Sequence, residues 1–223
     1  MIRRDYLLRQ IEEFVAALTR MARLAKSGQW EEASKTADAQ FKALTGADAT
    51  ELLRMSDTEL LARLAESDTG CGIQDRISMA IRLFREYGDI LRAQGNMKES
   101  NASYLKGLYL LLDSIANDPT APRPDFVPAV EGFLIGLHDS SLSLETNAML
   151  MRHHEQMLEY GKAEDGLFNM LDAEPANMEL LNFGIGFYER LLRLDDETLE
   201  LGNLPRAEVA AGLAELSKRK WAR

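Results

Sequence analysis

The sequence predicts an all-α protein, a right-handed superhelical stack of antiparallel helix hairpins. Three observations predict it. Leu, Ala, Glu, Arg and Met are abundant and only six prolines occur among 223 residues, a mix that favours helix over strand. Apolar residues recur at spacings of three and four through most of the chain, the period of a helix with one buried face. Glycines interrupt that period at Gly28, Gly95 and Gly161, and a new helical pattern starts beside each. No stretch reads as a strand.

Taken in order, residues 3–26 place Leu7, Ile11, Phe14, Leu18, Met21 and Ala25 on one stripe. Lys26 in the last turn and Gly28 after it are a helix stop. Trp30 to Leu44 restarts the period and Gly46 ends it. Ser56 with Glu59 three residues on is a capping box opening a short helix to about Ala65. After the loop ESDTGCGIQD, a long helix from about Gln74 to Gln94 carries Ile77, Ile81, Phe84, Gly88 and Leu91 on one face, and Gly95 stops it. Residues 97–116 carry Tyr104, Leu108, Leu111 and Ile115. NDPTAPRPDFVP holds Pro119, Pro122, Pro124 and Pro128; proline fixes φ and removes donors, so the segment reads as an extended connector. It divides the chain into N-terminal hairpins (1–117), a connector (118–128) and C-terminal hairpins (129–223), read as one continuous solenoid-like domain. Helical patterns cover 126–139, 144–160, 162–173 and 177–194, and Pro205 fits the first turn of a last helix, 205–220.

Gly28, Gly95 and Gly161 lie 67 and 66 residues apart, close to twice the roughly 34-residue period of the tetratricopeptide (TPR) helix pair. In that register Gly88 is the close-packing residue of a first helix and Gly95 the turn. Ser100, Tyr104 and Gly107 are the small, aromatic and small positions of the second helix. Trp30 and Ala33 supply the aromatic and the small residue after Gly28, Gly166 the small residue after Gly161, and Gly184 sits in a further first helix. Each turn glycine is expected to end a helix in a left-handed cap and reverse the chain. The match is to a degenerate TPR, best in the middle block.

Along its length the chain also resembles an uncharacterised bacterial family of TPR-like helical repeat proteins. The stretches RDYLLRQIEEFVAAL, EYGKAEDGLFNML and GFYERLLRLDDETLELGNLPRAEV carry the resemblance, in that order. It implies a helical-repeat fold. It implies no reaction and no catalytic residue.

Net charge is −10, and all of it falls after residue 112. Residues 1–112 carry 16 basic and 16 acidic side chains; 113–223 carry 10 and 20. That acidic half would repel nucleic acid, whose non-specific binding needs clustered Lys and Arg. No apolar run reaches the roughly 18 residues of a membrane span. The charged start MIRRDYLLRQIEE is unlike a signal peptide. With one cysteine, Cys71, no internal disulfide forms, which suits the cytoplasm.

No site motif carries chemistry. His153 and His154 are adjacent, so on a helix their rings point about 100° apart, poorly placed for one metal ion. Cys71 precedes a predicted helix start but has no histidine near it in sequence. GCGIQD and GIGFYE lack the third glycine and the preceding strand of a dinucleotide loop. No catalytic residue, metal or cofactor is expected. The residues that stand out are Arg82, Arg85, Asp89 and Arg92, which the repeat register points to a concave face where they would hold an acidic partner segment. The competing use is local: Arg82 with Glu86 and Arg85 with Asp89, each four residues on. The stripe in 3–26 packs on its own repeat or pairs with a second copy, and Trp221 in the basic tail KRKWAR is a further docking candidate. The expected function is a non-catalytic scaffold for a protein or peptide partner. A small-ligand domain and an enzyme using His138, His154 and Glu155 are the alternatives.

Overall fold

The computed structural model describes residues 2–66, 72–138 and 140–221; the side chains of residues 2–8 and 221 fall outside that description. Cys71 and the Trp221 side chain therefore lie outside the described residues. Every regular element among those described is a helix. They form two compact units, Met1–Ser141 and Leu142–Arg223.

The first unit holds α1 (Ile2–Lys26), α2 (Trp30–Thr45), α3 (Ala49–Arg54), α4 (Asp57–Glu66), α5 (Ile73–Ala93), α6 (Met97–Asn117) and α7 (Val130–Gly136). α1 pairs with α2, and α5 with α6; α2 and α1 then pack on α5, and α7 on α6 and α5. Phe14, Leu18 and Met21 of the α1 stripe are buried in this unit. The core centres on Phe41, 4.8 Å from Phe84 and 5.8 Å from Tyr87 between ring centroids. Two cationic side chains, Arg76 buried and Lys106 half-buried, fasten α4. Arg76 of α5 donates from Nε to the Leu64 carbonyl at 2.7 Å. Lys106 of α6 donates to the Met55 carbonyl and to Asp57, both at 2.6 Å.

The second unit holds α8 (Leu144–Gln156), α9 (Tyr160–Ala173), α10 (Met178–Leu191), α11 (Asp196–Leu201) and α12 (Arg206–Trp221). α8 pairs with α9, and α10 packs on α12 and α9. Leu167, Leu181, Phe187, Tyr188, Val209 and Leu216 are its fully buried centre. Gly184 lets α10 approach closely: a Cβ there would sit 2.6 Å from the Leu216 side chain.

Several boundaries follow the sequence. The capping box is formed, with Ser56 N–H donating to Glu59 Oε2 at 2.7 Å and Glu59 N–H to Ser56 Oγ at 3.2 Å. Other expectations need correction. Two helices were not anticipated, α3 and α11; each is a six-residue element opened by an aspartate, Asp48 accepting from Glu51 N–H and Asp195 from Thr198 N–H. The helix expected over 126–139 is only Val130–Gly136; residues before Pro128 form a turn closed by Val127 N–H to Pro124 O, and proline disfavours the helical conformation in the residue before it. The compact units divide between Ser141 and Leu142, beyond the proline-rich connector, since the chain after the prolines folds back on α5 and α6.

A further correction concerns Gly161. At Gly28 the turn is closed by Gln29 N–H to Leu24 O and Gly28 N–H to Ala25 O; at Gly95 by Asn96 N–H to Leu91 O and Gly95 N–H to Arg92 O. Both glycines are left-handed, at φ 74° and 82°. The matching turn after α8 is Glu159 N–H to His154 O and Leu158 N–H to Glu155 O, and its left-handed residue is Leu158, at φ 60°. Gly161 is instead inside α9, where a Cβ would meet the Asn203 carbonyl at 2.8 Å. Its N–H donates to Gly202 O at 3.0 Å. It is a close-contact glycine. The small position of this hairpin accordingly falls five residues after Leu158, as Ser100 does after Gly95 and Ala33 after Gly28. That residue is Ala163, fully buried. Gly166 meets no atom closer than 3.9 Å and has no packing need for glycine.

Gly95→Ala should lower unfolding free energy by about 1–2 kcal/mol, the cost of a left-handed alanine. Gly166→Ala should be neutral or mildly stabilising. Urea titrations of the two variants beside wild type check this contrast.

Candidate functional site

The segment RLFREYGDILR of α5 places Arg82, Arg85, Glu86, Asp89 and Arg92 on adjoining turns of one helix face. The structure satisfies this face largely from within the chain. Arg82 pairs with Glu86, and Arg85 with Asp89. Beyond these local pairs, each arginine reaches a backbone carbonyl between residues 126 and 136. Arg82 Nη1 donates weakly to Phe126 O at 3.4 Å, Arg85 Nε to Gly132 O at 3.0 Å, and Arg92 Nη2 to Gly136 O. Gly136 is the last residue of α7, so Arg92 caps a helix C-terminus whose carbonyl lacks a partner in its own helix.

Tyr104 of α6 is the centre of this arrangement and is 1% exposed. Its hydroxyl donates to Asp89 Oδ1 at 2.6 Å. The guanidinium carbons of Arg85 and Arg92 lie 5.1 and 5.3 Å from its ring centroid, within cation–π range. Gly88 and Gly136 both face the ring; a Cβ would come to 2.5 Å of it from Gly88 and 2.7 Å from Gly136. Ser100 Oγ donates to Gly88 O at 2.8 Å and Ser103 Oγ to Phe84 O at 2.7 Å, drawing α6 onto α5. Gly107 holds the same close approach against Phe133, whose ring a Cβ would meet at 2.5 Å. Burial first, then the bond to Asp89 and its charge, push the Tyr104 hydroxyl up to about 12. Burial likewise raises the Glu86 carboxyl, against the pull of Arg82.

Arg82 also borders a groove that the sequence did not reveal. Val15, Leu18, Thr19 and Ala22 of α1 form one wall and Phe126 the other, enclosing about 610 Å³. The Phe126 ring lies edge-on to Phe14, 5.7 Å away, which fixes that wall on α1. Arg23, Lys26 and Arg82 complete the lining. Val15 is 42% exposed despite its apolar side chain. The signal was available in part: Val15, Thr19, Ala22 and Lys26 recur at helical spacing on the flank of the buried α1 stripe. The partner wall, more than a hundred residues on, has no local signature.

In the second unit, His154 Nδ1 lies 2.7 Å from Glu159 Oε2, and Lys162 Nζ 2.6 Å from Glu159 Oε1. Glu155 accepts two bonds from Arg190, from Nε and Nη2, both at 2.8 Å. His154 and Glu155 thus face different partners. Among the described residues no group of three His, Cys, Asp or Glu side chains is placed to hold a metal ion, and no helix is long and apolar enough to cross a membrane. The Tyr188 hydroxyl donates to Glu164 Oε1 at 2.6 Å. Burial and the nearby Glu208, Asp165 and Glu215 raise the Glu164 carboxyl, opposed by the Tyr188 bond.

The fold defines a class: an all-α protein whose helices pair in hairpins. Residues 1–220 match the DUF6483 family, a family of unknown function, and the chain belongs to that family. No curated protein and no solved structure matches it significantly.

Two stability predictions follow from these contacts. Tyr104→Phe should cost about 1.5–3 kcal/mol, the worth of a hydrogen bond to a charged group. The hydroxyl is raised above its ordinary 10.0, so its contribution is complete below pH 10 and lost as pH climbs through about 12. The Phe variant should lack that alkaline decline in urea titrations across the same range. Glu164 is also raised, from 4.5, so its contribution is full below pH 4.5 and lost as pH rises through the folded value. Glu164→Gln should therefore raise the melting temperature at pH 7 and leave it unchanged at pH 4.

Proposed function

We propose that the chain is a non-catalytic, cytoplasmic scaffold. Its hairpins stack in a TPR-like right-handed superhelix, and it holds a segment of a partner protein along the α1–Phe126 groove. One observation carries this reading: an apolar surface with Val15 at 42% exposure lies open between helices that are otherwise tied by buried contacts. Preformed helical frames use such surfaces to bind segments of other proteins. Of the four residues first singled out for binding, Arg82 borders the groove. Arg85, Asp89 and Arg92 act inward, around Tyr104.

The groove volume, about 610 Å³, also falls within the roughly 300–1,000 Å³ of small-ligand sites, which supports a ligand-binding domain as the second reading. Capture from native lysate separates them. Wild type and Val15→Asp/Ala22→Asp would be compared after circular dichroism shows equal folding. The scaffold reading expects a protein retained by wild type and reduced about tenfold or more by the variant. Equal retention would move the site elsewhere. A small molecule seen on wild type by native mass spectrometry and absent from the variant would establish the second reading instead.

A further inference from the structure

We infer that the segment held in the groove is an acidic, amphipathic helix of a partner protein. The inference rests on the scaffold reading and adds the partner's chemistry. The floor comes from Val15, Leu18, Ala22 and Phe126, and the polar rim from Arg23, Lys26 and Arg82. No carboxylate lines the groove. Residues 1–112, which supply all of this lining but Phe126, carry equal numbers of basic and acidic side chains, so the groove is a local cationic excess.

The three cations differ in how far the chain itself satisfies them. Arg23 and Lys26 are exposed and meet no carboxylate among the described residues. Arg82 is paired with Glu86, yet its Nε is buried without an acceptor. Cations at the end of α1 suit the helix macrodipole by themselves. The macrodipole does not explain an open apolar floor beside them, nor a third cation converging from α5. An occupant with apolar residues on one face and carboxylates beside them satisfies both features.

Geometry favours a helical occupant. From Val15 to Lys26 the groove follows α1 for roughly 17 Å, about three turns at 1.5 Å per residue. Thr19 and Ala22, both small, line it midway, which permits a second helix to approach to the roughly 8–10 Å of ordinary helix packing. The chain's overall negative charge opposes this little. At physiological salt the screening length is about 8 Å, so distant carboxylates are damped while rim charges act at contact.

The test is a random 16-residue peptide library displayed on phage, selected on the full-length chain. Enriched sequences are synthesised and their binding measured by fluorescence anisotropy. The expected peptides carry apolar residues at helical spacing flanked by Asp or Glu. Arg23→Glu/Lys26→Glu should weaken them roughly tenfold or more, and a Glu→Lys version of the same peptide should bind that variant better than wild type. Neutral or basic peptides, or acidic ones that ignore both the rim reversal and Val15→Asp/Ala22→Asp, would overturn the inference. An empty selection would overturn it as well. If lysate capture still depends on Val15 and Ala22 while the selected peptides are not acidic, the scaffold reading stands and only the partner chemistry fails. Sedimentation velocity covers the remaining occupant: a dimer dissolved by Val15→Asp/Ala22→Asp would put a second copy of this chain in the groove and overturn the inference.

Discussion

The placement of one aromatic ring constrains the first unit more than any other contact. Tyr104 is held between Gly88 and Gly136, which belong to different helices, and any side chain at either position would overlap it. The ring therefore sets the distance of α6 from α5 and of α7 from α6 at once. Its edge and faces are then used by charge: Asp89 takes the hydroxyl, and two guanidinium groups lie over the ring. Packing places the atoms and electrostatics holds them. The groove inherits its shape from this, because the chain that supplies Phe126 runs directly into the α7 that Tyr104 positions.

The arginines show how one helix face can be read in two ways. Helical spacing puts Arg82 four residues before Glu86 and Arg85 four before Asp89, and those pairs form. Pairs four residues apart on one helix are worth about a few tenths of a kcal/mol on an isolated helix, and follow from spacing alone. The contacts that join distant parts of the chain are those of Arg85 and Arg92 to the carbonyls of residues 132 and 136, 47 and 44 residues away in sequence. A carbonyl has no side-chain identity, so nothing in the sequence marks it as an acceptor. This is why the ridge reads as a free binding surface until the fold is seen.

The same contrast separates what was legible from what was not. Helix identity and most ends were readable because local rules decide them: the apolar period, the Ser56–Glu59 box, and glycine after α1 and α5. The short helices α3 and α11 carried their signal in Asp48 and Asp195, but six residues give too little period to register. The third turn misled for a definite reason. Its left-handed residue is Leu158, which sterics disfavour there, and a glycine three residues later imitated the expected spacing. The misplaced register moved the small position from Ala163 to Gly166. The groove was illegible in a different sense, since it joins α1 to a wall more than a hundred residues distant.

Because Arg85 and Arg92 grasp the backbone of α7, the hold on that segment is nearly indifferent to what side chains it carries. Gly136 must stay small and Phe133 must fill the space against Gly107, but Glu131 and Ile135 point outward, Ile135 at 70% exposure. Over evolutionary time these outward positions are free to drift without loosening the attachment. The 126–136 stretch is therefore a place where the surface can change its chemistry beside an unchanged frame.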